Sequence, residues 1–373
     1  MISSELVSVR EGTTELLVPA DFNRRGPGTR TGGVFYNRQM EFGRDISVMF
    51  GRVAFSPGQK ILDGLAASGS RGLRLANECG VKAEFVLNDR NLAAAVLIKE
   101  NAELNSLGHV RIESRDLRAL LAEEQFDHID IDPFGTPVDF IDPAIQSCRN
   151  GGTIAVTATD TAPLYGTYPK TCLRRYGALS AKSPFAHETG LRILIGFLVR
   201  MAAQHDRAVQ PLLCYHADHY FRCYFEIRNG AAKADALIKR LGFAHFDRRT
   251  LDRTMSEERT DAKDAGPLWS GQLFSAKILK AMRATGDLGT QRRCEKMLGL
   301  WNEEAGGPPL FYAMDELARK TKKSPPKLSE FQAFLEDNEA VACKTHFDPK
   351  GIKTSLPAKS LLRLYSEFPR DAQ

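Results

Sequence analysis

The chain has no C-x-x-C pair, although it contains seven cysteines among its 373 residues. A full disulfide framework needs an even number of cysteines, and a structural zinc site needs closely spaced Cys or His ligands. Neither pattern is present, so we predict reduced, mostly buried thiols and no bound metal.

Long apolar runs are also missing, and no stretch reaches the length of a membrane-spanning helix. The first residues, MISSELVSVREGTTEL, carry Glu and Arg where a signal peptide requires an apolar segment. These absences predict a protein that does not enter a membrane and resides in the cytoplasm. No internal repeat is evident either, which argues against a solenoid or a propeller.

A strong charge imbalance is absent as well, because the net charge is +5 and the pI is about 8.8. The basic residues are nevertheless uneven, and two clusters lie in Gly-rich or Pro-rich surroundings. They are Arg24, Arg25 and Arg30 in DFNRRGPGTRTGG, and Arg319, Lys320, Lys322, Lys323 and Lys327 in RKTKKSPPK. Such clusters are either solvated loops or phosphate-binding surfaces, and two of them on one chain raise the expectation of a polyanionic partner.

Short apolar runs alternate with amphipathic helical stretches from Lys60 onwards. Helices are predicted over residues 71–78, 92–105 and 187–205, and strands over runs such as KILDGL and AEFVLND. This alternation favours a doubly wound parallel sheet, and two adjacent β-rich runs, VQPLLCYHA and YFRCYFEIR, predict an antiparallel hairpin at one edge. The predicted fold class is therefore α/β, with a seven-stranded Rossmann-like sheet.

The composition becomes more charged and loop-rich after Asn229, which predicts two domains, residues 1–229 and 230–373. The stretch HFDRRTLDRTMSEERTDAKDAGPLW has no periodicity and is predicted to be a polar loop. In the tail, helices around DELARKT and LSEFQAFLED precede a strand and the turn FDPKGIKT. This order predicts a smaller α+β domain with a winged-helix-like tail.

A glycine-rich turn follows the first strand of this pattern, in LDGLAASGSRGLRLA. The strand ends at Asp63 and a helix begins near Ser70, with Gly69 in the turn between them. Glycines there let a ligand approach the backbone, and the first helical turn offers N–H groups. The stretch is not G-x-G-x-x-G, so an ordinary tight turn between strand and helix is an equally good interpretation.

Acidic residues follow each of the first four predicted strands: Asp63, Asp89, Asp116 and Asp132. The spacing from Asp63 to Asp89 is 26 residues (89 − 63). Doubly wound folds place a ribose-binding acid at a spacing of about 20 residues. One by one these residues could be helix caps, a common role for Asp. Four together instead predict a crevice at the strand ends that binds an adenosine-containing ligand.

The fourth predicted strand runs into an abrupt break in FDHIDIDPFGTP. Pro133 holds Asp132 in extended geometry, and Gly135 permits a sharp turn. A carboxylate and a nearby backbone carbonyl can orient a weakly nucleophilic aromatic amine and accept its proton, while Phe134 offers a face for an extruded base. The motif therefore indicates methyl transfer from S-adenosylmethionine to a nucleobase amine.

Six motifs are spread along nearly the whole length of the chain: VFYNRQMEFGRD, DGLAASGSRGLR, DIDPFGTPVDF, HADHYFR, GPLWSG and THFDPKGIKT. Together, and in this order, they carry a resemblance to the tRNA guanine-26 N2-dimethyltransferases. It implies S-adenosylmethionine as the cofactor, tRNA as the partner, and mono- then dimethylation of the guanosine at position 26. The two basic clusters are then the expected tRNA contacts, and a monomer is expected.

The resemblance also implies roles for individual residues. Asp132 is similar to the catalytic carboxylate, and Phe134 and Phe35 to aromatic residues on the two faces of the guanine. The implied cofactor contacts are Arg44 and Arg71 for the methionine carboxylate, Asp89 for the ribose, Asp116 and Leu117 for the adenine, and Asp63 and Gly69 in the turn beside them. Without the family, core packing would be the better interpretation of Phe35, and Arg44 could equally be a surface ion pair.

The stretch before GPLW departs from the family pattern. Many members carry two Cys pairs there, whereas this chain has no cysteine in that stretch and only His245 as a possible ligand. The zinc site that those pairs form is therefore not expected.

Two other functions stay open at this point. Motifs similar to D-P-P-Y also serve amino-methyltransferases that act on adenine or cytosine of DNA or other RNA. The third interpretation is a non-catalytic RNA-binding module with the tail as its binding surface. The intact acids after the first four strands argue against this last interpretation.

Overall fold

The N-terminal region forms a β-hairpin that the sequence patterns did not predict. The computed structural model describes residues 5–22 and 33–369. In it, β1 (Leu6–Glu11) pairs antiparallel with β2 (Thr14–Pro19). The side chain of Asn101 donates to the Leu17 carbonyl at 3.0 Å and accepts from the Leu17 N–H at 2.6 Å. These bonds satisfy an otherwise open strand edge and fix the hairpin against the body of the protein.

A 3₁₀ turn (Arg38–Met40) leads into α1 (Glu41–Ala54). Residues 42–51 of α1 are all buried, including the charged side chains of Arg44 and Asp45. Buried charges require partners, so this helix must meet counter-charges from other elements.

Seven strands form the central sheet: β3 (Lys60–Asp63), β4 (Glu84–Asn88), β5 (Arg111–Glu113), β6 (Phe126–Ile131), β7 (Cys148–Ala158), β8 (Arg207–Ala217) and β9 (Tyr220–Asn229). Their order is β5-β4-β3-β6-β7-β9-β8, and β9 runs antiparallel to both of its neighbours. Phe85, Val86 and Leu87 in β4 are all buried, because helices cover both faces of such a sheet. The predicted seven-stranded sheet with an antiparallel edge hairpin is confirmed.

Seven helices lie between these strands: α2 (Ser70–Glu78), α3 (Leu92–Leu104), α4 (Leu117–Glu123), α5 (Val138–Ser147), α6 (Thr161–Leu164), α7 (Pro169–Tyr176) and α8 (Ala186–Ala203). The three helices predicted from periodicity, α2, α3 and α8, agree with the structure to within two residues at each end. The parallel strands therefore end at one common edge of the sheet, where the acids that follow them can converge.

The apolar core continues beyond Asn229, through α9 (Ala231–Ile238), β10 (Leu241–Phe246), β11 (Arg253–Ser256), β12 (Ala265–Trp269), α10 (Ala276–Ala281) and α11 (Gln291–Glu304). The predicted polar loop is wrong, because β10, β11 and β12 form a three-stranded sheet there. These strands are only four to six residues long, and β10 and β12 contain glycine or proline, so they show too little alternation to be recognised. Tyr215 of β8 contacts Trp301 of α11, with ring centroids 4.8 Å apart. One core thus crosses residue 230, and the domain boundary placed there stays a prediction.

The tail has a smaller core of its own. Its elements are β13 (Tyr312–Ala313), α12 (Met314–Thr321), α13 (Leu328–Asp337), β14 (Ala342–Lys344), β15 (Gly351–Thr354) and α14 (Ala358–Glu367). Leu317, Phe331 and Tyr365 are fully buried within it. The predicted order of two helices followed by a hairpin is present, whereas the winged-helix assignment itself stays a prediction.

A buried group of charges joins the tail to the rest of the protein. Lys353 of β15 donates to Glu188 of α8 and to Glu304 of α11, each at 2.9 Å. Arg192 pairs with Glu188 at 2.9 Å, and His346 hydrogen-bonds Glu304 through Nδ1. We call these five residues the Lys353 cluster. None of their side chains is more than 3% exposed, so each charge depends on the others for its stabilisation.

All seven cysteines are buried, which confirms the predicted burial of the thiols. Within residues 5–22 and 33–369, no helix combines the length and the apolarity needed to cross a membrane.

Candidate active site

A cavity of about 900 Å³ lies at the carboxyl ends of the parallel strands. Seven of the residues singled out in the sequence line it: Phe35, Arg44, Asp63, Arg71, Asp89, Asp132 and Phe134. These side chains come from separate parts of the chain and meet because parallel strands end at one edge of the sheet. We call this space the methyl-transfer cavity, and the roles of its individual residues stay predictions.

The turn from β3 to α2 is fixed by close packing and by one side-chain hydrogen bond. Gly69 has φ 77°, a left-handed conformation that favours glycine, and it directly precedes α2. Asp63 Oδ2 accepts from the N–H of Gly72 at 2.9 Å. Gly72 lies so near β4 that a Cβ atom would come within 2.6 Å of Leu87 Cγ. The first turn of α2 is thereby held at the end of β3, beside the cavity.

Asp63 is buried close to a second carboxylate, Asp130. Burial and the negative charge of Asp130 raise the pKa of Asp63 to about 7, while the positive charge of Arg71 acts in the opposite direction. Asp63 therefore holds its proton to a higher pH than an ordinary aspartate does.

Asp89 follows β4 at the cavity wall and is half-buried. Its Oδ2 accepts from the Ala67 N–H at 2.9 Å, and its Oδ1 accepts from the Asn91 N–H at 2.9 Å. A carboxylate offers about four acceptor positions, so both oxygens retain capacity for ligand hydroxyl groups. The position and the chemistry of Asp89 fit the predicted ribose contact.

Asp132 follows the end of β6 and forms an ion pair with Arg71. Arg71 Nη2 donates to Asp132 Oδ2, and Arg71 Nη1 donates to Ser47 Oγ at 2.5 Å. The Asp132 side chain is 22% exposed, against 7% for Arg71. Among the described residues, no donor contacts Asp132 Oδ1, so this oxygen can accept a further hydrogen bond. Arg71 thus orients Asp132, and its predicted contact with the methionine carboxylate stays a prediction.

A second ion pair, between Asp130 and Arg222, is fully buried beside the first. Arg222 Nη1 donates to Asp130 Oδ1 at 2.9 Å and to Thr157 Oγ1 at 3.0 Å, and Arg222 Nη2 donates to Asp130 Oδ2. Burial opposes the charge on Asp130, but Arg222 and Arg71 outweigh it and lower the pKa of Asp130. Arg222 lies within the motif HADHYFR, and no spacing in the sequence indicates its partner.

Arg44 is held by a residue that the sequence analysis missed, Glu11 of the N-terminal hairpin. Arg44 Nε donates to Glu11 Oε2 at 2.7 Å, and Arg44 Nη2 donates to Glu11 Oε1 and, at 3.0 Å, to the Asn37 carbonyl. The Tyr36 hydroxyl also donates to Glu11. Arg44 is only 5% exposed, so it forms a buried ion pair and not the surface pair considered from the sequence.

The two aromatic candidates, Phe35 and Phe134, contact each other at the cavity. Their ring centroids are 4.5 Å apart and their planes meet at 78°. Phe134 is 51% exposed, which is unusual for phenylalanine, and Phe35 is only partly buried. This exposure argues against core packing for either ring and favours a role in binding.

Three predicted cofactor contacts, Gly69, Asp116 and Leu117, are not among the residues that line the cavity in the described part of the chain. Asp116 precedes α4 as its N-cap, accepts from the Arg118 N–H at 2.9 Å and pairs with the Arg118 side chain at 2.7 Å. Leu117 is buried against Gly64, because a Cβ atom added to Gly64 would come within 2.9 Å of Leu117 Cδ1. Asp116 therefore caps a helix, which is the alternative role considered for each of the four acids. Its contact with adenine stays a prediction.

The predicted tRNA contacts of the tail are all exposed near the end of α12 and the start of α13: Lys320, Lys322, Lys323 and Lys327. Lys320 Nζ donates to the Arg249 carbonyl at 2.5 Å, and Lys327 pairs with Glu330 at 3.0 Å. The cations of the N-terminal cluster, Arg24, Arg25 and Arg30, lie outside the described residues.

The loop before β12, which lacks the Cys pairs of many relatives, is organised by Asp264. Asp264 Oδ2 accepts from the N–H groups of Thr260 and Asp261, each at 2.8 Å. Its Oδ1 is 2.8 Å from Nδ1 of His245, the residue considered as a possible ligand. Asp264 is 2% exposed, so one buried carboxylate stabilises the conformation of the loop through hydrogen bonds.

The sheet order and the cavity together define a class of protein. A parallel sheet closed by an antiparallel hairpin, with acids around a crevice at the strand ends, is a Rossmann-like methyltransferase fold. The family model for N2,N2-dimethylguanosine tRNA methyltransferases matches residues 21–366. The chain therefore belongs to this family, and the resemblance seen in the motifs is confirmed.

Individual relatives agree with this assignment. The chain is 36% identical over 381 residues to the tRNA (guanine(26)-N(2))-dimethyltransferase of Pyrococcus furiosus, covering 95% of this chain and 97% of the relative. It is 39% identical over 377 residues to the protein of that name from Thermococcus kodakarensis, with coverage of 95% and 97%. The solved complex of Trm1 from Pyrococcus horikoshii with S-adenosyl-L-methionine superimposes with a TM-score of 0.87 at 34% identity, covering 96% of this chain and 99% of that one.

Proposed function

We propose that this chain transfers methyl groups from S-adenosylmethionine to the exocyclic N2 of a guanosine in tRNA, at position 26, first once and then twice. The observation that carries the proposal is the oriented carboxylate of Asp132 beside the exposed ring of Phe134, in a chain that matches this family over most of its length. The family match favours guanine N2 over the amino groups of adenine or cytosine. The intact carboxylates of the cavity favour an enzyme over a non-catalytic binding module.

The cavity fits S-adenosylmethionine. Its volume of about 900 Å³ is near the upper end of the range of about 300–1,000 Å³ for ligand pockets, which leaves room for a base beside the cofactor. Asp89 would hold the ribose hydroxyl groups, and Arg44 would hold the methionine carboxylate. When bound, the cofactor supplies an electrophilic methyl group on a sulfonium centre.

Asp132 acts on the amine of the substrate. The lone pair of an aromatic amine is delocalised into the ring, so this nitrogen is a poor nucleophile. The amine donates a hydrogen bond to Asp132 Oδ1, which aligns it. The same oxygen accepts the proton that leaves as the nitrogen is methylated. Arg71 holds the other carboxylate oxygen, which prevents Asp132 from rotating away from the amine.

Phe35 and Phe134 hold the guanine between them. Two stacking contacts of about 3.5 Å each place parallel rings about 7 Å apart. The two rings here are 4.5 Å apart and nearly perpendicular, so one of them must turn as the base enters. Phe134 is the more exposed ring, and the following Gly135 has φ 86°, so we assign the movement to Phe134.

The proposal is tested by incubating the purified protein with a tRNA transcript and isotopically labelled S-adenosylmethionine, followed by mass spectrometry of the nucleosides. We expect N2-methylguanosine at early times and N2,N2-dimethylguanosine later, and neither when the guanosine at position 26 is replaced by adenosine. Methylation of adenosine or cytidine instead, or no transfer by protein that binds the cofactor, would overturn the proposal.

Replacing Asp89 by Asn is expected to weaken S-adenosylmethionine binding about 10- to 100-fold. The Asn oxygen can still accept from the Ala67 N–H, but the amide nitrogen cannot replace Oδ1 as an acceptor, so one charge-assisted hydrogen bond to a ribose hydroxyl group, worth roughly 1.5–3 kcal/mol, is lost. Calorimetry with the cofactor alone measures the effect. Glu100→Ala, which removes an exposed acid from the following helix, serves as the control. Equal affinities of wild type and Asp89→Asn would contradict the ribose assignment.

Replacing Lys320, Lys322, Lys323 and Lys327 by Ala is expected to raise the tRNA KM and to flatten its dependence on salt. For each phosphate contact that is lost, tRNA binding releases about one counterion fewer. Cofactor affinity should stay unchanged. A variant in which the exposed Lys233, Lys239, Lys277 and Lys280 are replaced has the same net charge and controls for a general charge effect. If both variants show the same salt slope as the wild type, the tail lysines do not contact tRNA, and Arg24, Arg25 and Arg30 become the leading candidates.

A cytoplasmic location and a monomeric state accompany this proposal as predictions. Sedimentation of the purified protein with and without tRNA measures the second.

A further inference from the structure

A second, shallower cavity adjoins the methyl-transfer cavity. Its volume is about 480 Å³, and it is lined by residues 159–163 and by Tyr168, Thr171 and Arg175 at α7. Thr159 and Thr161 line both cavities. We call this second cavity the α7 groove. A ligand that extends out of the methyl-transfer cavity past these threonines enters the α7 groove.

Hydrogen bonds tie the α7 groove to the loop that follows β6. The Gly135 N–H donates to Thr159 Oγ1 at 2.8 Å, and the Thr159 N–H donates to the Gly135 carbonyl at 3.0 Å. The Tyr176 hydroxyl donates to Asp160 at 2.7 Å and lies 3.0 Å from Thr136 Oγ1. The position of α7 relative to the methyl-transfer cavity is therefore fixed by the protein itself.

The exposed side chains at α7 combine aromatic, apolar and basic character. Tyr168 is 59% exposed and Leu173 is 50% exposed. The exposed cations of the same helix are Lys170, Arg174 and Arg175. The acid in the lining of the groove, Asp160, is paired with Arg175 at 2.8 Å, so the surface keeps a positive charge. An exposed ring among cations is the combination that binds single-stranded nucleic acid, because the ring stacks on a base while the cations meet phosphates.

We propose that the α7 groove binds the nucleotide next to the methylated guanosine, with Tyr168 stacked on its base and Lys170 and Arg174 on the adjoining phosphates. This inference rests on the proposed function. A guanosine that has entered the methyl-transfer cavity remains covalently linked to its neighbours, which must then lie at the rim of that cavity. The α7 groove shares a wall with the rim, and Lys170 and Arg174 of α7, beside the groove, supply the positive charge that the RNA backbone requires.

Exposed basic residues continue from the α7 groove towards the tail. Gly166, in the connection to α7, lies so close to Lys182 that a Cβ atom would come within 2.6 Å of the Lys182 backbone nitrogen. Arg248 Nη2 donates to the Lys182 carbonyl at 3.1 Å, and Lys320 Nζ donates to the Arg249 carbonyl at 2.5 Å. These contacts place a basic path between the groove and the tail lysines, along which an RNA strand leaving the groove can continue.

Kinetics of the Tyr168→Ala variant on full-length tRNA test the proposal. Loss of one base stacking contact is expected to raise the tRNA KM about 5- to 150-fold. The kcat at saturating tRNA should change less than about threefold, and cofactor affinity should not change. Tyr168→Trp, which keeps a stacking surface, should restore the KM. Because Tyr168 is exposed, its replacement leaves the core intact, which a melting curve verifies.

A tRNA with an abasic nucleotide beside position 26 separates stacking from other effects. On the side that occupies the α7 groove, the abasic site should raise the KM of the wild type and add nothing to Tyr168→Ala. If the abasic site and Tyr168→Ala raise the KM independently at both neighbouring positions, so that their effects multiply, the assignment of Tyr168 is overturned.

The proposed phosphate contacts of Lys170 and Arg174 are tested with two variants that lose the same charge at different places. Lys170→Ala/Arg174→Ala should reduce the salt slope of tRNA binding by about two. Lys233→Ala/Lys239→Ala changes the charge equally on α9, which follows β9 at the sheet edge opposite the cavity, and should keep the wild-type slope. If the wild type methylates no guanosine in tRNA, the proposed function fails. If it does methylate tRNA and the KM of Tyr168→Ala is unchanged, only the α7 groove is rejected.

Discussion

The Asp132→Asn variant is expected to transfer methyl groups about 10²- to 10⁴-fold more slowly than the wild type, the range typical for loss of a general base. Asn keeps the shape and one acceptor oxygen, but it lacks the negative charge that favours departure of the proton. Asp132→Ala removes the acceptor as well and is expected to abolish measurable transfer. Single-turnover rates at saturating tRNA and cofactor measure the chemical step apart from binding.

The matched control is Asp139→Asn, which removes an exposed carboxylate from the first turn of α5 and should retain activity within about twofold. Cofactor affinity measured by calorimetry should be largely unchanged in Asp132→Asn, because the proposed partner of Asp132 is the substrate amine. Near-normal turnover by this variant would show that Asp132 is not the proton acceptor. A loss of cofactor binding would instead place Asp132 in the cofactor site.

The Lys353→Met variant is expected to lose about 3–5 kcal/mol of stability, which is typical when one partner of a buried ion pair is removed. The substitution leaves the carboxylates of Glu188 and Glu304 buried without the ammonium group that lies 2.9 Å from each. Urea denaturation, followed by tryptophan fluorescence, measures the change in the free energy of unfolding.

The control for this substitution is close in the sequence. Lys350→Met removes an exposed cation that pairs with Asp315 at 3.2 Å, and its effect should stay within about 0.5 kcal/mol. Adding Glu304→Gln to Lys353→Met removes one of the two buried carboxylates that have lost their lysine partner, and should recover part of the lost stability. If Lys353→Met and Lys350→Met have equal effects, the Lys353 cluster contributes no net stability.

The central fold could be predicted because its signals are local. Apolar runs such as FVLN in β4 and the periodicity of α2, α3 and α8 are properties of neighbouring residues, and each gave the correct element. The break at Pro133 and the acids after the strands also follow from residues that stand next to each other. The missed sheet of β10, β11 and β12 shows the limit of such signals, because those strands are short and two of them contain glycine or proline.

The convergence of Asp63, Asp89 and Asp132 on one cavity was predictable in outline. A parallel sheet places all its carboxyl ends at one edge, whichever residues occupy them. Asp116 shows the limit of that rule, since it also follows a strand but caps α4 and does not line the cavity. Whether a strand-end acid faces the ligand or its own helix depends on a few backbone angles that the residue type does not fix.

The sequence by itself thus determined the elements of the sheet, the strand-end acids and the motifs that place the chain in its family. Only the tertiary structure decided which charges pair: Arg44 with Glu11, Arg222 with Asp130, and Lys353 with Glu188. These partners are separated by 33, 92 and 165 residues, respectively. An ion pair leaves no mark in the sequence beyond two common residue types, since Coulomb attraction depends on distance in space and on burial. Both quantities are set by the packing of the whole chain.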